Sequence, residues 1–286
     1  MKKIWIIIVA ALLFAVPFML SKEASVKDKT IENKCDLSVT LEGEKLPLEQ
    51  YVRGVVAAEM PAAYELEALK AQAIAARTYA LYKQQGEGEL KASVAHQVFY
   101  DEEQRQERWA TNFETYESKI ERAVEETSGE IISYKGELIS AMFHAASNGK
   151  TESAKAYSGN DIPYLQSVPS PEKEKKTVEV TSGKWTAKQL LNAQLTRNES
   201  GRVEQVKLGG QTLTGRQVRE ALNLRSTDFQ FELVNGEIVA TTRGYGHGVG
   251  MSQQGAQEMA LNGAKAKDII THYYSGVEIK PIACES

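Results

Sequence analysis

One glutamate, Glu59, combines two features that disfavour the charged form of its side chain. It lies on the apolar stripe of a predicted helix, Leu48–Glu59, and it is also the last residue of that helix. Burial removes water from a carboxylate, and the negative end of the helix dipole repels it, so we expect a pKa above that of a free glutamate. A raised pKa suits general acid catalysis, whereas an ordinary solvated glutamate at a helix end is the alternative.

Two cations share one face of the next predicted helix. Lys70 and Arg77 are seven residues apart, and the small Ala73 lies between them on the same face. Such a face could bind hydroxyl groups or a carboxylate, although lysine and arginine on a helix are more often solvated. The many alanines of this helix allow close packing and favour a central, buried position.

A glycine-rich segment, residues 244–250, alternates glycine with Tyr245, His247 and Val249. The pattern lets the backbone approach a ligand while the tyrosine and histidine point at it, and a purely structural hairpin is the alternative. The glycines lack the spacing of a dinucleotide-binding loop, and no phosphate-loop Lys-Ser follows them. We therefore expect no bound nucleotide.

Other chemistries have little support in the sequence. The four histidines, His96, His144, His247 and His272, show none of the spacings typical of a metal site. No Gly-x-Ser-x-Gly elbow is present, and the two cysteines have no histidine motif beside them. The chain has 34 basic and 38 acidic residues without a basic stripe, so we expect no nucleic-acid partner. An acid/base enzyme is the class that remains.

The elements that must position these residues are mixed in type. Helical patterns occur at 48–59, 65–85, 113–127, 185–195, 214–222 and 253–261. Strand patterns occur at 37–43, 203–208, 229–233 and 237–241, with a hairpin at 130–144. The Pro-, Glu- and Lys-rich residues 162–176 predict a surface connection to a second lobe at about 177–240. We predict an α+β fold of helices and antiparallel strands, in two lobes around a cleft.

The N-terminus contains an apolar segment. Residues 4–20 carry no charge and follow Lys2 and Lys3, as in a signal peptide or a membrane helix. Because no small-x-small cleavage site follows, we favour an uncleaved transmembrane anchor at 1–20, a juxtamembrane linker at 21–34 and a folded domain at 35–286. The lysines predict a single-pass membrane protein whose C-terminal domain is extracytoplasmic.

The chain has two cysteines, Cys35 and Cys284, which bracket the predicted folded domain. An extracytoplasmic compartment permits disulfides, so these residues could pair and fasten the two ends of the domain together. Two unpaired thiols near mobile ends are the alternative, and the sequence leaves both open.

Several motifs resemble, in order, those of the stage II sporulation protein D family. They are QYVRGVVAAEMP from residue 50, ALKAQAIAARTYA from 68, FHAASNGKTE from 143, GRQVR from 215, LNLRS from 222 and GYGHGVGMSQ from 244. The resemblance covers nearly all of the chain after the apolar segment. It implies a lyase, a lytic transglycosylase that cleaves peptidoglycan between MurNAc and GlcNAc, on peptide-stripped strands, to give 1,6-anhydroMurNAc ends during engulfment in sporulation.

The resemblance also assigns roles to residues. Glu59 matches the catalytic glutamate of the family, and one glutamate suffices, because it can first protonate the glycosidic oxygen and then take the proton of the C6 hydroxyl. Lys70 and Arg77 match positions around the active site, and we expect them to bind the substrate by positioning the sugar or the glutamate. We expect the hydrogen-bonding side chains near them to bind glycan hydroxyls, and these are Ser147, Asn148, Tyr245, His247 and Gln253.

Partners and location follow from the same resemblance. Some relatives hold zinc with cysteine and histidine near the segment that matches 144–149, but this chain has only His144 there, so we expect no metal and no cofactor. The expected partners are peptidoglycan strands and the stage II sporulation proteins P, an amidase, and M, a membrane scaffold. The expected location is the mother-cell engulfing membrane, facing the intermembrane space. A non-catalytic peptidoglycan-binding activator of a cell-wall amidase is the alternative function.

Overall fold

A computed structural model describes residues 37–93, 96–172, 175–179 and 185–283, which belong to one structural unit. The predicted anchor at 1–20, the linker at 21–34 and both Cys35 and Cys284 lie outside the described residues. None of the helices within the described ranges has the length and apolar character needed to cross a membrane.

Helices and strands are interspersed along the described chain without a repeat. The helices are α1 (Leu48–Glu59), α2 (Leu66–Glu87), α3 (Glu102–Trp109), α4 (Phe113–Glu125), α5 (Ala154–Ser158), α6 (Ala187–Leu191), α7 (Gly215–Ala221), α8 (Gln253–Leu261) and α9 (Ala266–Tyr273). The strands are β1 (Ser38–Leu41), β2 (Glu44–Pro47), β3 (Glu130–Tyr134), β4 (Glu137–Leu138), β5 (Phe143–His144), β6 (Lys175–Glu179), β7 (Gln194–Arg197), β8 (Val203–Leu208), β9 (Gln211–Thr214), β10 (Phe229–Val234), β11 (Glu237–Arg243), β12 (Met251–Ser252) and β13 (Glu278–Pro281).

Helix α2 is the central element, as its alanines predict. Its small side chains are almost fully buried, so α1, α4, α8 and α9 all pack against its backbone at close range. The helix ends where Gly88 takes a left-handed conformation, with φ of 75°. Helix α1 ends two residues before Pro61, because proline cannot donate the hydrogen bond that would extend the helix. Both helices therefore agree with the sequence prediction.

The strands form small sheets, which are antiparallel apart from the pair β5–β12. Among the described strands the sheet orders are β1-β2, β10-β11-β6, β12-β5, β13-β3-β4 and β7-β8-β9. The predicted hairpin turns at Lys135 and Gly136, which have φ of 51° and 90°, as a type I′ turn requires. Helices and mostly antiparallel strands confirm the α+β class.

The segment that follows residue 185 has an apolar core of its own. Strand β8 and helix α7 supply much of it, and the buried members are Trp185, Leu190, Val203, Val206, Leu208, Val218, Leu224, Phe229 and Ala240. The helix predicted at 185–195 is shorter than expected, because the residues after α6 pair with β8 as strand β7. The division into two lobes with the predicted boundaries stays a prediction.

The prediction that residues 162–176 form a surface connection is wrong for part of that segment. Leu165, Ser170 and Glu172 are all at most 5% exposed. The Glu172 carboxylate accepts hydrogen bonds from the Ser147 N–H, at 2.7 Å, and from the Ser252 hydroxyl. These bonds join the segment to the core, and composition alone could not show them.

Candidate active-site cleft

A cleft of about 830 Å³ collects residues from most of the chain. Its walls come from the end of α1, from α2, α3, α5 and α7, from the residues around β5, and from the glycine-rich segment 244–250 together with the start of α8. The lining residues are Ala58, Glu59, Tyr79, His96, Val98, Arg108, Met142, Phe143, His144, Ala145, Tyr157, Arg216, Arg219, Glu220, Tyr245, Gly246, His247 and Gln253.

Glu59 is a half-buried carboxyl group in the wall of this cleft. Its Oε1 atom accepts a hydrogen bond from the Val98 backbone N–H at 2.7 Å. Burial raises the pKa of Glu59, and the bond from Val98 offsets only part of that rise. Within the described ranges no lysine, arginine or histidine forms an ion pair with Glu59. The direction of the pKa shift agrees with the sequence prediction, and burial is its main cause.

The glycine-rich segment runs beside β5 and forms one side of the cleft. Tyr245 donates its N–H to the Ala146 carbonyl at 2.7 Å, and the Ala146 N–H returns a bond of 3.1 Å to the Tyr245 carbonyl. Gly250 has φ of 73°, and a Cβ atom built on it would lie 1.9 Å from the Met142 carbonyl oxygen. Only glycine fits such an approach. Backbone hydrogen bonds thus hold the segment beside the residues that follow β5, and the same segment forms a wall of the cleft.

Two histidines lie together on that wall and are held neutral. The ring centroids of His144 and His247 are 5.7 Å apart. Burial lowers the pKa of His247 to about 4, with a further contribution from the Arg219 charge. Burial, followed by His247, also lowers the pKa of His144 well below its usual value. Neither ring therefore carries a charge at neutral pH.

The hydrogen bonds of the two rings indicate their tautomers. His144 Nδ1 lies 3.2 Å from the Val249 carbonyl and donates to it, which leaves Nε2 as an acceptor with no partner in the described part of the chain. His247 Nδ1 accepts the Val249 N–H at 3.0 Å. Across the described ranges, no group of three or more His, Cys, Asp or Glu side chains is arranged to hold a metal ion.

Four of the predicted site residues line the same cleft, and they are Glu59, Tyr245, His247 and Gln253. The Tyr245 residue is 47% exposed, and the Arg225 guanidinium lies over its ring, 5.2 Å from the centroid. Gln253 is 5% exposed, and its Nε2 atom lies 3.4 Å from Gln72 Oε1. The fold therefore brings residues from positions 59 and 253 to one surface.

The predicted cationic face of α2 does not line this cleft. Arg77 is completely buried, donating from Nε to Glu49 Oε1 at 2.8 Å, from Nη2 to Glu49 Oε2 and from Nη1 to the Glu130 carbonyl at 3.1 Å. Lys70 pairs with Glu67 at 3.1 Å and with Glu126, in a separate surface hollow. In this structure both side chains join helices to their neighbours.

Ser147 and Asn148 also lie outside the set of lining residues. Ser147 is fully buried and held by its bond to Glu172. The Asn148 amide donates to the Ser200 carbonyl at 3.0 Å and to Asp228 Oδ2 at 2.9 Å. These contacts connect the turn after β5 to the residues that precede β8 and β10. Both residues support the wall of the cleft from behind.

Several lining residues were not predicted from the sequence. The polar ones are Tyr79, His96, Arg108, Tyr157, Arg216, Arg219 and Glu220. For the residues of α7 a signal was present, because positions 216, 219 and 220 fall on one face of a helix, and the first two belong to the GRQVR motif already noted for its resemblance. For Tyr157 we find no signal, because it depends on where the five-residue helix α5 docks.

An α+β protein with one half-buried carboxyl group in a polar cleft has the type of functional group that acid/base enzymes use. The family model described as "Stage II sporulation protein" (SpoIID) matches residues 38–134. Stage II sporulation protein D of Bacillus subtilis (strain 168) is 40% identical over 257 residues, which cover 82% of this chain and 75% of that protein. The chain therefore belongs to the stage II sporulation protein D family.

Two further relatives differ in how much of their length is matched. Stage II sporulation protein D of Bacillus amyloliquefaciens is 40% identical over 257 residues, covering 82% of this chain and 75% of that protein. The amidase enhancer of Bacillus subtilis (strain 168) is 25% identical over 295 residues, covering 80% of this chain and 40% of that protein. One similar protein is therefore named for an effect on an amidase.

Proposed function

We propose that this chain is a lytic transglycosylase that cleaves peptidoglycan between MurNAc and GlcNAc during sporulation. Family membership supports the proposal, and the observation that carries it is the state of Glu59. This carboxyl group is half-buried in the cleft, has a raised pKa, and has no cation paired with it in the described chain. These are the properties of a general acid that keeps its proton.

The reaction needs one carboxyl group used twice. Glu59 donates its proton to the glycosidic oxygen, and the bond between that oxygen and C1 of MurNAc breaks. The Glu59 carboxylate then takes the proton of the C6 hydroxyl, whose oxygen bonds to C1 and closes the 1,6-anhydro ring. The leaving GlcNAc keeps the first proton, so protons and charge balance, and no water is consumed.

The other carboxylate in the described lining is a poor candidate for the same role. Glu220 pairs with Arg216 at 2.8 Å, and its side chain is 61% exposed. Its carboxylate thus lies largely in solvent and is already engaged by a guanidinium. A hydrolase of the usual kind needs two carboxyl groups in defined roles, so this difference supports a transglycosylase.

Uncharged side chains of the cleft would position the sugar rings. The exposed Tyr245 ring offers a stacking surface, and Gln253 offers an amide. His144 Nε2, buried and without a partner in the described chain, can accept a hydrogen bond from a sugar hydroxyl. Ser147 and Asn148 hold this wall in place, while Lys70 and Arg77 act through the packing of α2.

A substitution that removes only the proton tests the proposal. In the full-length chain, Glu59→Gln keeps the size of the side chain and an acceptor for the Val98 N–H, so the fold should persist. We expect cleavage of peptide-free glycan to fall by about 10²- to 10⁴-fold, measured as anhydromuramyl products by mass spectrometry. The matched control is Glu114→Gln, at an exposed glutamate of α4. If the Glu59 variant cleaved as fast as the parent, the acid/base role would be wrong.

The second candidate function is a non-catalytic activator of a cell-wall amidase, and the relative named amidase enhancer favours it. The same variant separates the two functions. An activator would stimulate an added amidase equally well with Glu59→Gln and would release no anhydromuramyl product by itself. Under this proposal the stage II sporulation proteins P and M are candidate partners in either case.

The location belongs to the same proposal. The uncharged residues 4–20 after Lys2 and Lys3 support a retained anchor, with the folded domain outside the cytoplasmic membrane of the engulfing mother cell. The domain would then face the wall that it cleaves. Removal of the domain from intact protoplasts by added protease is the expected result, and full protection would contradict this orientation.

A further inference from the structure

The arginines of the described chain differ in the partners of their side chains. Most of them form an ion pair with a carboxylate, and these are Arg53, Arg77, Arg105, Arg122, Arg197, Arg216 and Arg243. By contrast, Arg108 and Arg219 line the cleft and have no such partner among the described residues. Arg108 lies over the Tyr100 ring, 5.3 Å from its centroid. Arg219 is therefore the cleft arginine with neither a carboxylate nor a ring assigned to it.

Within the described residues, one hydrogen bond holds the Arg219 side chain in place. Its Nε atom donates to the Leu224 carbonyl at 3.1 Å, just after the end of α7. The side chain is half-buried, and its two terminal nitrogens have no acceptor among the described residues. Guanidinium stays charged even where burial lowers its pKa. A fixed, charged fork with unused N–H groups is thus part of the cleft wall.

The neighbours of Arg219 do not cancel its charge. Glu220, the adjacent carboxylate, forms its ion pair with Arg216 instead. His247 is neutral, and the Arg219 charge is one of the reasons. The planar fork of a guanidinium matches the two oxygens of a carboxylate, whereas sugar hydroxyls need no positive charge. This wall therefore favours a ligand that carries a carboxylate.

The glycan strand of peptidoglycan carries that group only after a particular reaction. Each MurNAc has a lactyl group whose carboxyl carbon forms an amide with the stem peptide, and removal of the peptide leaves a free carboxylate there. We infer that Arg219 binds this lactyl carboxylate and makes the cleft selective for peptide-stripped strands. The inference rests on the proposed function for the identity of the ligand. It names a residue that would distinguish stripped from intact glycan.

The test compares two glycans that differ only in this charge. One is peptide-free glycan with free lactyl carboxylates, and the other is the same material with each carboxylate converted to its methylamide. For the full-length parent we expect kcat/KM and affinity to favour the acid by about 10- to 100-fold, as a charge-assisted contact predicts. For Arg219→Gln we expect the ratio of acid to amide to be near one. The kcat/KM and the affinity for the acid should fall, while those for the amide should change little.

Two further variants complete the design. Arg219→Lys keeps the charge and should restore part of the preference, although a lysine cannot form the two-pronged contact. Arg122→Gln, at an exposed arginine on α4, removes a charge outside the cleft and should keep the parent's ratio. A preference that survives in Arg219→Gln overturns the inference, and so does a parent that binds acid and amide equally.

Failure of the proposed function gives a different result. If neither the parent nor any variant produced anhydromuramyl ends from either glycan, the transglycosylase proposal would be wrong. The ratio of the dissociation constants for acid and amide, measured for the parent and for Arg219→Gln without cleavage, would still decide whether Arg219 binds the carboxylate.

Discussion

Two glutamates of helix α1, Glu49 and Glu59, show how one residue type can lie in two different environments. Glu49 is 1% exposed and receives hydrogen bonds from Arg77 at 2.8 Å and from the Gly129 N–H at 3.0 Å. Glu59 is more exposed, but its one bond within the described chain comes from the Val98 N–H. At the start of α1, the Arg77 cation thus matches the charge of Glu49. At the end of the same helix, Glu59 has no such partner within the described chain.

The comparison shows that burial alone does not identify a candidate general acid. The more deeply buried carboxylate is the structural one, because a guanidinium occupies both of its oxygens. The less buried one can hold a proton, because burial raises its pKa and no cation opposes that rise. The partner therefore decides the role. Three measurements can break or sharpen this contrast.

The largest effect is expected on the Glu49 side. Arg77→Met should lower the free energy of unfolding by about 3–5 kcal/mol, because it leaves the Glu49 charge buried without its partner. Urea denaturation of the full-length chain, followed by circular dichroism, measures the loss. Combining it with Glu49→Leu should recover most of the stability, because a buried ion pair can be replaced by apolar side chains. Little change in the Arg77→Met variant would contradict a structural role for this pair.

A smaller effect is expected on the Glu59 side, in the dependence of the rate on pH. The acid must be protonated before the glycosidic bond breaks, so kcat/KM should fall about tenfold per pH unit above the pKa of Glu59. Because burial raises that pKa, the fall should begin at a higher pH than for a solvated glutamate. An alkaline limb that starts at the ordinary glutamate pKa, near 4.3, would argue against Glu59 as the acid.

Local patterns in the sequence were enough to predict the position and the environment of Glu59. The apolar spacing of α1 and the proline after it place Glu59 correctly and give the direction of its pKa shift. Arg77 was harder, because a helical face tells which residues lie together but not which neighbour they meet. Its partner is 28 residues away and comes within reach only when α1 packs on α2.

Elements with weak apolar patterns were missed for a related reason. Helix α3 has the sequence EEQRQERW, with almost no apolar stripe, and the readable signal was the capping box between Asp101 and Gln104. The docking of α7 and α5 beside the glycine-rich segment depends on contacts across most of the chain. This explains why Arg219 and Tyr157 could not be assigned to the cleft from spacing alone.

The smallest effect concerns the stability of Glu59→Gln. Between the pKa of an unfolded glutamate and the raised pKa of the folded protein, the folded state binds more protons, so the parent's stability falls as pH rises. Glutamine does not titrate and avoids that loss. The variant should therefore match the parent at pH values below the pKa of an unfolded glutamate and exceed it in stability as the pH rises through the raised pKa of Glu59, as is common where function costs stability. Urea denaturation at several pH values measures the difference. A variant less stable than the parent at high pH would mean that the Glu59 charge is stabilised by the fold, which would remove its contrast with Glu49.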